Sequence, residues 1–376
     1  MAVWPASAHA QRVQVDVRVS EDIGRELRNA LREVTTSVGD ALREVSRDLG
    51  RDLGRDIAPS LRSLPRMGHL SAWDGGWDDA QDRNFRARVE DRQTRVLALG
   101  ASGTLTIENL SGNITIGVGS RSEATIELLR ESRGRTETDA RVGLDRVKVI
   151  TSATGTRGSV KTDYPNERQS SYSVSVTMNI TVPSGTRVIV NSVSGDVKAT
   201  NVKGELSVNT ISGDITISNV GSVSEAKTVS GDVTITSATG DVALDAGSIS
   251  GDVQLQQVKA RRITAGTVSG SVSARDVTCD SATLSAMSGD AWFSGSVARD
   301  GRYEITSHSG DVHFMPAGGA GFSVTASSFG GDISTSLALQ SDGRTRRRSL
   351  SGRIGDGSAT VKLQTFNGDI VIGAPK

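Results

Sequence analysis

A short unit, Ser-Gly-Asp followed by an aliphatic residue, recurs through the second half of the chain and constrains its fold more than any other feature. Ten degenerate copies align on their glycine, with successive glycines 18, 18, 20, 19, 19, 21, 21, 21 and 16 residues apart. A period of about 20 residues without a helical pattern inside it is typical of stacked β-coils. The aligned glycines are Gly195, Gly213, Gly231, Gly251, Gly270, Gly289, Gly310, Gly331, Gly352 and Gly368.

Three positions around each glycine are apolar in nearly every copy. The residue two after the glycine is apolar in all ten copies, the residue four after it in eight, and the residue two before it in nine, with His308 as the exception. Because polar residues alternate with them, we expect these three columns inside a solenoid and the polar positions outside. The residues two after the glycines are Val197, Ile215, Val233, Val253, Val272, Ala291, Val312, Ile333, Ile354 and Ile370. The apolar residues two before them are Val193, Ile211, Val229, Ile249, Val268, Met287, Phe329, Leu350 and Phe366.

The Ser-Gly-Asp residues themselves predict a bend in each coil. Glycine tolerates a positive φ there, and Ser and Asp bond nearby backbone groups. Ten coils spaced by roughly 4.8 Å would extend over about 48 Å. The eight aspartates that follow these glycines would form a ladder, and Ca²⁺ between coils would relieve their repulsion. Because Ca²⁺ needs about 6 to 8 oxygen ligands, we interpret them as turn-forming residues that bond backbone N–H groups. They are Asp196, Asp214, Asp232, Asp252, Asp290, Asp311, Asp332 and Asp369.

The remainder of the chain divides by pattern. Residues 191–376 hold the regular repeat, and residues 95–190, with an early SGNI copy at 111–114, are predicted as the first coils or an N-terminal cap. Five phenylalanines, which predict a better-filled C-terminal end, lie in the last coils. They are Phe293, Phe314, Phe322, Phe329 and Phe366.

The first part of the chain has a different period. Residues 20–64 carry apolar residues at steps of 3 or 4, which predicts a long amphipathic α-helix, and residues 65–94 resemble a linker. The apolar stripe of the helix needs a partner, either a second copy of the helix or the flank of the solenoid. Residues 1–10 end in Ala8-His9-Ala10, the form of an export-signal cleavage site. They are interpreted either as a truncated signal-peptide remnant or as an unstructured N-terminus.

Composition limits the function classes. The 43 basic and 43 acidic residues cancel, so the sequence predicts no steering of nucleic acid. A single cysteine excludes an intrachain disulfide, and no apolar run is long enough to predict a transmembrane helix.

Motifs for chemistry are absent from the sequence. We find no GxSxG elbow before a helix and no phosphate-binding loop. His308 and His313 flank one glycine without zinc spacing, and the run from Arg344 to Arg348 is interpreted as a solvated insertion or an anionic-polymer contact. The pairs Thr216/Ser218 and Thr234/Thr236 resemble an ice-binding array that fails after two coils. We therefore predict no catalytic, cofactor-binding or metal site, no cofactor, and a protein that is not an enzyme.

Serial strings of the form SGDV or TGDV occur at 194–197, 212–215, 230–233, 239–242, 250–253 and 309–312, where Ile replaces Val in one copy. They accompany the opening GTLTIENLSGNITI and the junction VPSGTRVIVNSVSGDV. With these motifs the chain from about Leu97 to Ile372 resembles the bacterial putative-adhesin family of unknown function. The resemblance implies an exported or envelope-associated β-solenoid, and the long N-terminal helix departs from the family pattern.

Three functions remain open from sequence. The first is a non-enzymatic envelope or surface-associated protein, adhesin-like or structural, located in the periplasm or on the cell surface. It would bind an unknown polymer or envelope protein and self-associate through the helix. The alternatives are a self-assembling scaffold that joins uncovered strand edges and a polysaccharide-cleaving β-helix enzyme. The last needs carboxylates gathered around one bond, whereas these are spread one per coil.

Overall fold

A computed structural model describes residues 85–119, 122–165, 171–341 and 348–374. Within them the chain forms 25 β-strands and one α-helix. The N-terminal elements are β1 (Ala87–Ala98), β2 (Thr104–Ser111), β3 (Ile114–Gly119), β4 (Glu123–Gly134), α1 (Glu137–Arg146), β5 (Lys148–Thr154), β6 (Arg157–Asp163) and β7 (Tyr172–Pro183). The central elements are β8 (Arg187–Ser194), β9 (Val197–Thr200), β10 (Glu205–Asn209), β11 (Ile215–Val220), β12 (Ser222–Lys227), β13 (Val233–Ala238), β14 (Ala243–Ser250), β15 (Val253–Val258), β16 (Arg262–Ser269) and β17 (Val272–Ser288). The C-terminal elements are β18 (Ala291–Ser309), β19 (Val312–Gly319), β20 (Phe322–Ser328), β21 (Ile333–Thr335), β22 (Gln340–Ser341), β23 (Ser349–Ile354), β24 (Ala359–Asn367) and β25 (Ile370–Ile372).

Parallel pairing between successive coils builds a β-solenoid. In the coil of Gly213, β10 runs to the glycine and β11 leaves it, and each pairs in parallel with its equivalents in the coils on either side. A second bend follows at Asn219, where φ is +52°. The same left-handed conformation recurs at the corresponding residue of neighbouring coils, although none of these residues is a glycine. They are Asn201, Asn219, Ser237, Gln257 and Asp276.

The interior of the solenoid is a file of aliphatic side chains, one per coil, at the position two after each glycine. Nine of the ten predicted members stand in this file, and all of these but Ile333 are buried. The file begins one coil earlier than the regular repeat, because Ile114 of the SGNI copy pairs with Val197. In spatial order it contains Ile114, Val197, Ile215, Val233, Val253, Val272, Ala291, Val312, Ile370 and Ile333.

The prediction that Gly352 marks a further coil is wrong. Gly352 lies in β23, which runs antiparallel to β20 and to β22, so its partner Ile354 lies opposite Phe322 rather than in the interior file. The order of the last coils also differs from chain order. The coil of β24 and β25 stacks on that of β18 and β19, and the coil of β20 and β21 lies outside it. An antiparallel strand then covers the end, which would otherwise expose a full row of backbone groups.

The N-terminal end is also built from an outer coil that is out of chain order and from antiparallel strands beyond it. β6 and β7 stack in parallel on the outer side of β2 and β3, although they come later in the chain. Antiparallel strands follow, with β5 on β6, and β4 and then β1 on β7. Residues 95–190 therefore contain both strands stacked in parallel and antiparallel strands outside them.

Arg130 of β4 connects β4 to β1 and to the C-terminal end of α1. Its side chain forms an ion pair with Asp91 of β1, and its Nη1 donates to the carbonyl oxygens of Leu144 and Val147 at the end of α1, at 3.0 and 2.9 Å. β1 begins at Ala87, inside the segment predicted as a linker, because this pairing with β4 holds it as a strand. The predicted helix 20–64 and signal remnant 1–10 lie outside the described residues.

Three of the five phenylalanines predicted to fill the C-terminal end are buried in the interior there. Phe293, Phe314 and Phe322 are buried and lie in one cluster with Tyr303. Phe329 and Phe366, which were grouped with them in the sequence, lie on the outside instead. The one helix of the described residues is not long and apolar enough to cross a membrane.

Candidate binding surface

The bend at each repeat glycine is a place of close approach between coils. At Gly213, φ is +135°, and a Cβ atom would lie less than 3.0 Å from the carbonyl oxygen of Gly195 in the preceding coil. Each later coil repeats this relation, so the glycines form a column in which no side chain fits. We call the residues from two before to one after each glycine the corner.

The aspartates of the corner form hydrogen bonds with backbone N–H groups, as the sequence predicts. Asp232 N–H donates to Asp214 Oδ1 at 2.9 Å, and Asp252 N–H donates to Asp232 Oδ1 at 2.8 Å. The series continues through Ser271, whose hydroxyl replaces the carboxylate in one coil. Each of these acidic side chains therefore holds the next coil in register.

An apolar column runs along the outside of the corner, where the sequence led us to expect interior residues. The residues two before the glycines are half-buried, and those at the two ends, Leu110 and Phe329, are 40% and 43% exposed. Alternation does not continue through the bend, so these side chains point away from the interior file. We call this column the corner strip, and its members are Leu110, Val193, Ile211, Val229, Ile249, Val268, Met287, His308, Phe366 and Phe329.

A column of buried hydroxyl groups takes the interior place instead, and sequence reasoning missed it. The residue three before the glycine is Ser or Thr in eight coils, Asn109 in the first and Ala286 in one. Thr267 Oγ1, for example, donates to the carbonyl oxygen of Gly251 at 2.8 Å. The repeated Ser or Thr at this position was the available signal, because most buried hydroxyl groups form hydrogen bonds, commonly with backbone groups.

The C-terminal part of the corner strip is aromatic. The rings of His308 and Phe366 stack with centroids 5.0 Å apart and planes 10° apart. Phe366 and Phe329 continue the stack at 4.7 Å and 6°. Because Phe329 is the most exposed of the three, this end of the strip offers apolar ring surface to solvent.

A second aromatic group lies on the face that follows the corner. Trp292 and His313 occupy the outward position three after the glycine in adjacent coils, with ring centroids 4.4 Å apart and planes 30° apart. The guanidinium carbon of Arg275, one coil earlier, lies 5.3 Å from the centroid of the Trp292 ring. We call these three residues the aromatic platform.

Polar side chains surround the aromatic platform. Ser273 lies directly opposite Trp292 on the neighbouring strand, and Gln254 lies opposite Ser273 one coil further away. Gln256 and Arg275 form the next outward pair of the same two strands.

The Thr216/Ser218 and Thr234/Thr236 pairs stand on this face in earlier coils, so the aromatic platform lies where their array ends. Trp292 is the only tryptophan of the repeat region, and that was the overlooked signal.

The other sequence candidates do not converge. His308 stacks on Phe366 and His313 lies against Trp292, so the two imidazoles stand on different surfaces. Among the described residues, no three His, Cys, Asp or Glu side chains form a group suited to a metal ion. Of the basic run, only Arg348 is described, and it is exposed.

Cys279 is a core residue rather than a reactive group. It is 3% exposed, and burial raises the pKa of its thiol to about 12. Its carbonyl oxygen accepts a hydrogen bond of 2.8 Å from the hydroxyl of Tyr303, whose pKa burial also raises to about 12. Both groups are therefore neutral at physiological pH.

Two consecutive segments of the chain, residues 102–249 and 250–373, match the model of a family described as Toastrack DUF4097. They cover well over half of the 376 residues. The chain belongs to the Toastrack DUF4097 family. The two matches of this Toastrack chain meet within one corner, between Ile249 and Ser250, and follow each other without a break in the stack.

Several solved structures are similar to the Toastrack chain at low identity. A "putative cell adhesion protein" from Clostridium sporogenes is 14% identical, with 76% of this chain and 100% of that chain covered and a TM-score of 0.25. A "putative adhesin" from Bacteroides fragilis is 14% identical, with 75% and 96% covered and a TM-score of 0.38. A "putative lipid binding protein" from Parabacteroides distasonis is 12% identical, with 74% and 96% covered and a TM-score of 0.40. No curated protein matches the chain.

Proposed function

We propose that this protein is a non-enzymatic, adhesin-like binding protein of the cell envelope or surface, and that its solenoid holds an extended glycan. The observation that carries the proposal is the aromatic platform. Trp292 points outward on a face made mostly of polar side chains, where the interior needs no aromatic residue. Tryptophan and arginine are the side chains that most often dominate the affinity of binding surfaces.

The arrangement of the acidic groups supports binding rather than catalysis. Glycoside cleavage needs two carboxyl groups on either side of one bond. The corner aspartates instead form one column along the stack, one per coil, and their carboxylates accept backbone N–H groups of the next coil, as Asp214 does from Asp232. Their position therefore follows from the stacking of coils and requires no substrate.

The location is part of the proposal. An extended glycan as the ligand, the export-signal form of Ala8 to Ala10 and the resemblance of the repeat to adhesins favour a site outside the cytoplasm. Fractionation of cells that express the gene with its native upstream sequence tests this. Recovery of the mature chain in the cytoplasm alone would contradict it.

Binding is tested with the full chain by co-sedimentation with peptidoglycan and with a panel of polysaccharides. We expect at least one polymer to carry the protein into the pellet and no soluble product to appear. Trp292→Ala should weaken that binding by about tenfold, the scale of a dominant contact residue. Thr216→Ala, at the same outward position of an earlier coil, is the matched control and should bind like the parent. Absence of binding to every polymer, or equal binding by both variants, would refute the proposal.

One observation favours self-association as a second function. Among the described strands β5 pairs with β6 alone, and its residue Ile150 is 51% exposed. An exposed strand edge is a template for pairing with another chain, and Lys148 is the only charged residue of β5. If this edge joins two copies, the mass measured by light scattering rises with concentration, and Ile150→Lys prevents the rise. A monomer at all concentrations excludes this function.

A further inference from the structure

We propose that the aromatic platform recognises a carboxylate group of an acidic glycan, with Arg275 as the residue that contacts the anion. This inference rests on the proposed function and names the chemical class of its ligand. It starts from the side chain of Arg275, which is exposed and yet fixed in position.

Two contacts fix the guanidinium group of Arg275. Its Nε donates to Ser273 Oγ at 3.1 Å, and its carbon lies 5.3 Å from the centroid of the Trp292 ring. An arginine held by stacking and by one hydrogen bond loses less conformational freedom when it binds a planar anion. The platform therefore presents an arginine that is already organised for a two-point contact.

No residue that the structure describes neutralises the charge of Arg275. Its only hydrogen bond to another described residue uses Nε, and no described carboxylate lies within ion-pair distance. The remaining N–H groups of the fork match the geometry of a carboxylate, which accepts two parallel hydrogen bonds from arginine. A ligand that carries a carboxylate would supply the missing counter-charge.

The surroundings favour a sugar polymer over a peptide. A peptide would most readily add to an open strand edge, but β17 and β18 are paired with parallel strands in the coils on both sides. Beside Arg275 the face offers the amides of Gln254 and Gln256, which both donate and accept hydrogen bonds, as sugar hydroxyl groups require. Both amide side chains are exposed.

The repeat provides a matched control for the arginine. Arg262 in β16 is also exposed, and its Nε also donates to a serine hydroxyl, Ser281 Oγ, at 3.3 Å. It lies on the face before the corner, and no described aromatic ring stacks on it. Arg262→Gln and Arg275→Gln therefore remove the same charge from similar surroundings on different faces.

The test measures affinity for polygalacturonate, for its methyl-esterified form and for a sulfated polysaccharide by titration calorimetry with the full chain. We expect the parent to prefer the free carboxylate polymer, and added salt to weaken binding because exposed charges are screened. Arg275→Gln should lower affinity for polygalacturonate by about tenfold, whereas Arg262→Gln should change it by less than about twofold. Arg275→Lys should give an intermediate loss, because an ammonium group keeps the charge without the fork.

The outcomes separate the two proposals. If the esterified polymer binds as tightly as the free acid, or if Arg275→Gln and Arg262→Gln lose affinity equally, the carboxylate inference is wrong and the binding function stands. Preference for the sulfated polymer also overturns it. If the parent binds none of these and no polymer of the wider panel, both proposals fail. Unfolding midpoints equal to that of the parent establish that each variant is folded.

Discussion

The buried hydroxyl column allows a direct test of what stabilises the corner. Thr267 is fully buried, and its Oγ1 donates to the carbonyl oxygen of Gly251 at 2.8 Å. Thr267→Val keeps the shape of the side chain and removes the donor. Because the carbonyl oxygen then stays buried without this bond, we expect the free energy of unfolding to fall by about 1–3 kcal/mol.

One coil provides the reverse experiment. Ala286 occupies the hydroxyl column between Thr267 and Ser307, and it supplies no donor to the carbonyl oxygen of Gly270. Serine fits at the same position of the next coil, where Ser307 Oγ donates to Gly289 at 2.8 Å. Ala286→Ser should therefore raise the free energy of unfolding by about 0.5–1.5 kcal/mol, the net value of one added hydrogen bond.

The assay is urea unfolding followed by circular dichroism, with the exposed Thr264→Val of the same strand as the control. That variant should stay within about 0.5 kcal/mol of the parent, as surface substitutions do. We compare the dependence of the unfolding free energy on urea concentration as well as the midpoint. A weakened contact between two coils can let the coils on either side of it unfold separately, which lowers this dependence. If Thr267→Val and Thr264→Val unfold alike, the hydroxyl column does not stabilise the corner.

Three further predictions concern other contacts. Gly270→Ala should lower the free energy of unfolding by more than about 1–2 kcal/mol, the scale of a strained backbone position. The reason is that φ is +141° and the added Cβ would meet the carbonyl oxygen of Gly251. An unchanged denaturation midpoint would contradict this. The hydrogen bond from Arg130 lowers the pKa of Asp91 in the folded protein. The contribution of this carboxylate to stability is therefore complete above the ordinary pKa of 3.8 and is lost as the pH falls through the lower pKa of the folded state. Acid titrations of the parent should therefore lose stability that Asp91→Asn already lacks, and identical curves would exclude the effect. Since the pKa of Cys279 is raised to about 12, its thiol should react with a maleimide only after unfolding, and fast labelling of the native chain would exclude a buried thiol.

The interior residues can be predicted from the sequence because the positions two and four after each glycine lie on one continuous strand, along which side chains alternate between inside and outside. The sequence does not predict the corner strip, since alternation cannot be extended through a residue of positive φ such as Gly213. Val229 is apolar and half-buried between its neighbours in the stack, so its hydropathy resembles that of a core residue. The hydroxyl of Thr228, one residue earlier, takes the interior place because it bonds the carbonyl oxygen of Gly213 at 3.1 Å.

The ends of the solenoid are less predictable for a different reason. Gly352 has most of the local sequence of a coil, and it differs from most copies by Arg353 at the aspartate position and Asp356 at the apolar position four after the glycine. Pairing between segments that are distant in the chain decides its place, and no local pattern encodes such pairing. The aromatic platform likewise depends on three coils meeting, although the isolated Trp292 was visible in the sequence.

The order of the end coils determines how such a protein can change in length. From β8 to β19 every coil lies beside its successor in the chain, so duplicating or deleting one repeat there adds or removes one coil, and the coils on either side can still stack on each other. At both ends of the stack, the outermost coil comes from a segment whose neighbours in the chain lie elsewhere in the stack. Truncation of the chain from its C-terminus would therefore remove β24 and β25 from between two coils that remain. Lineages of this fold should therefore differ by whole repeats in the middle and share their two terminal arrangements.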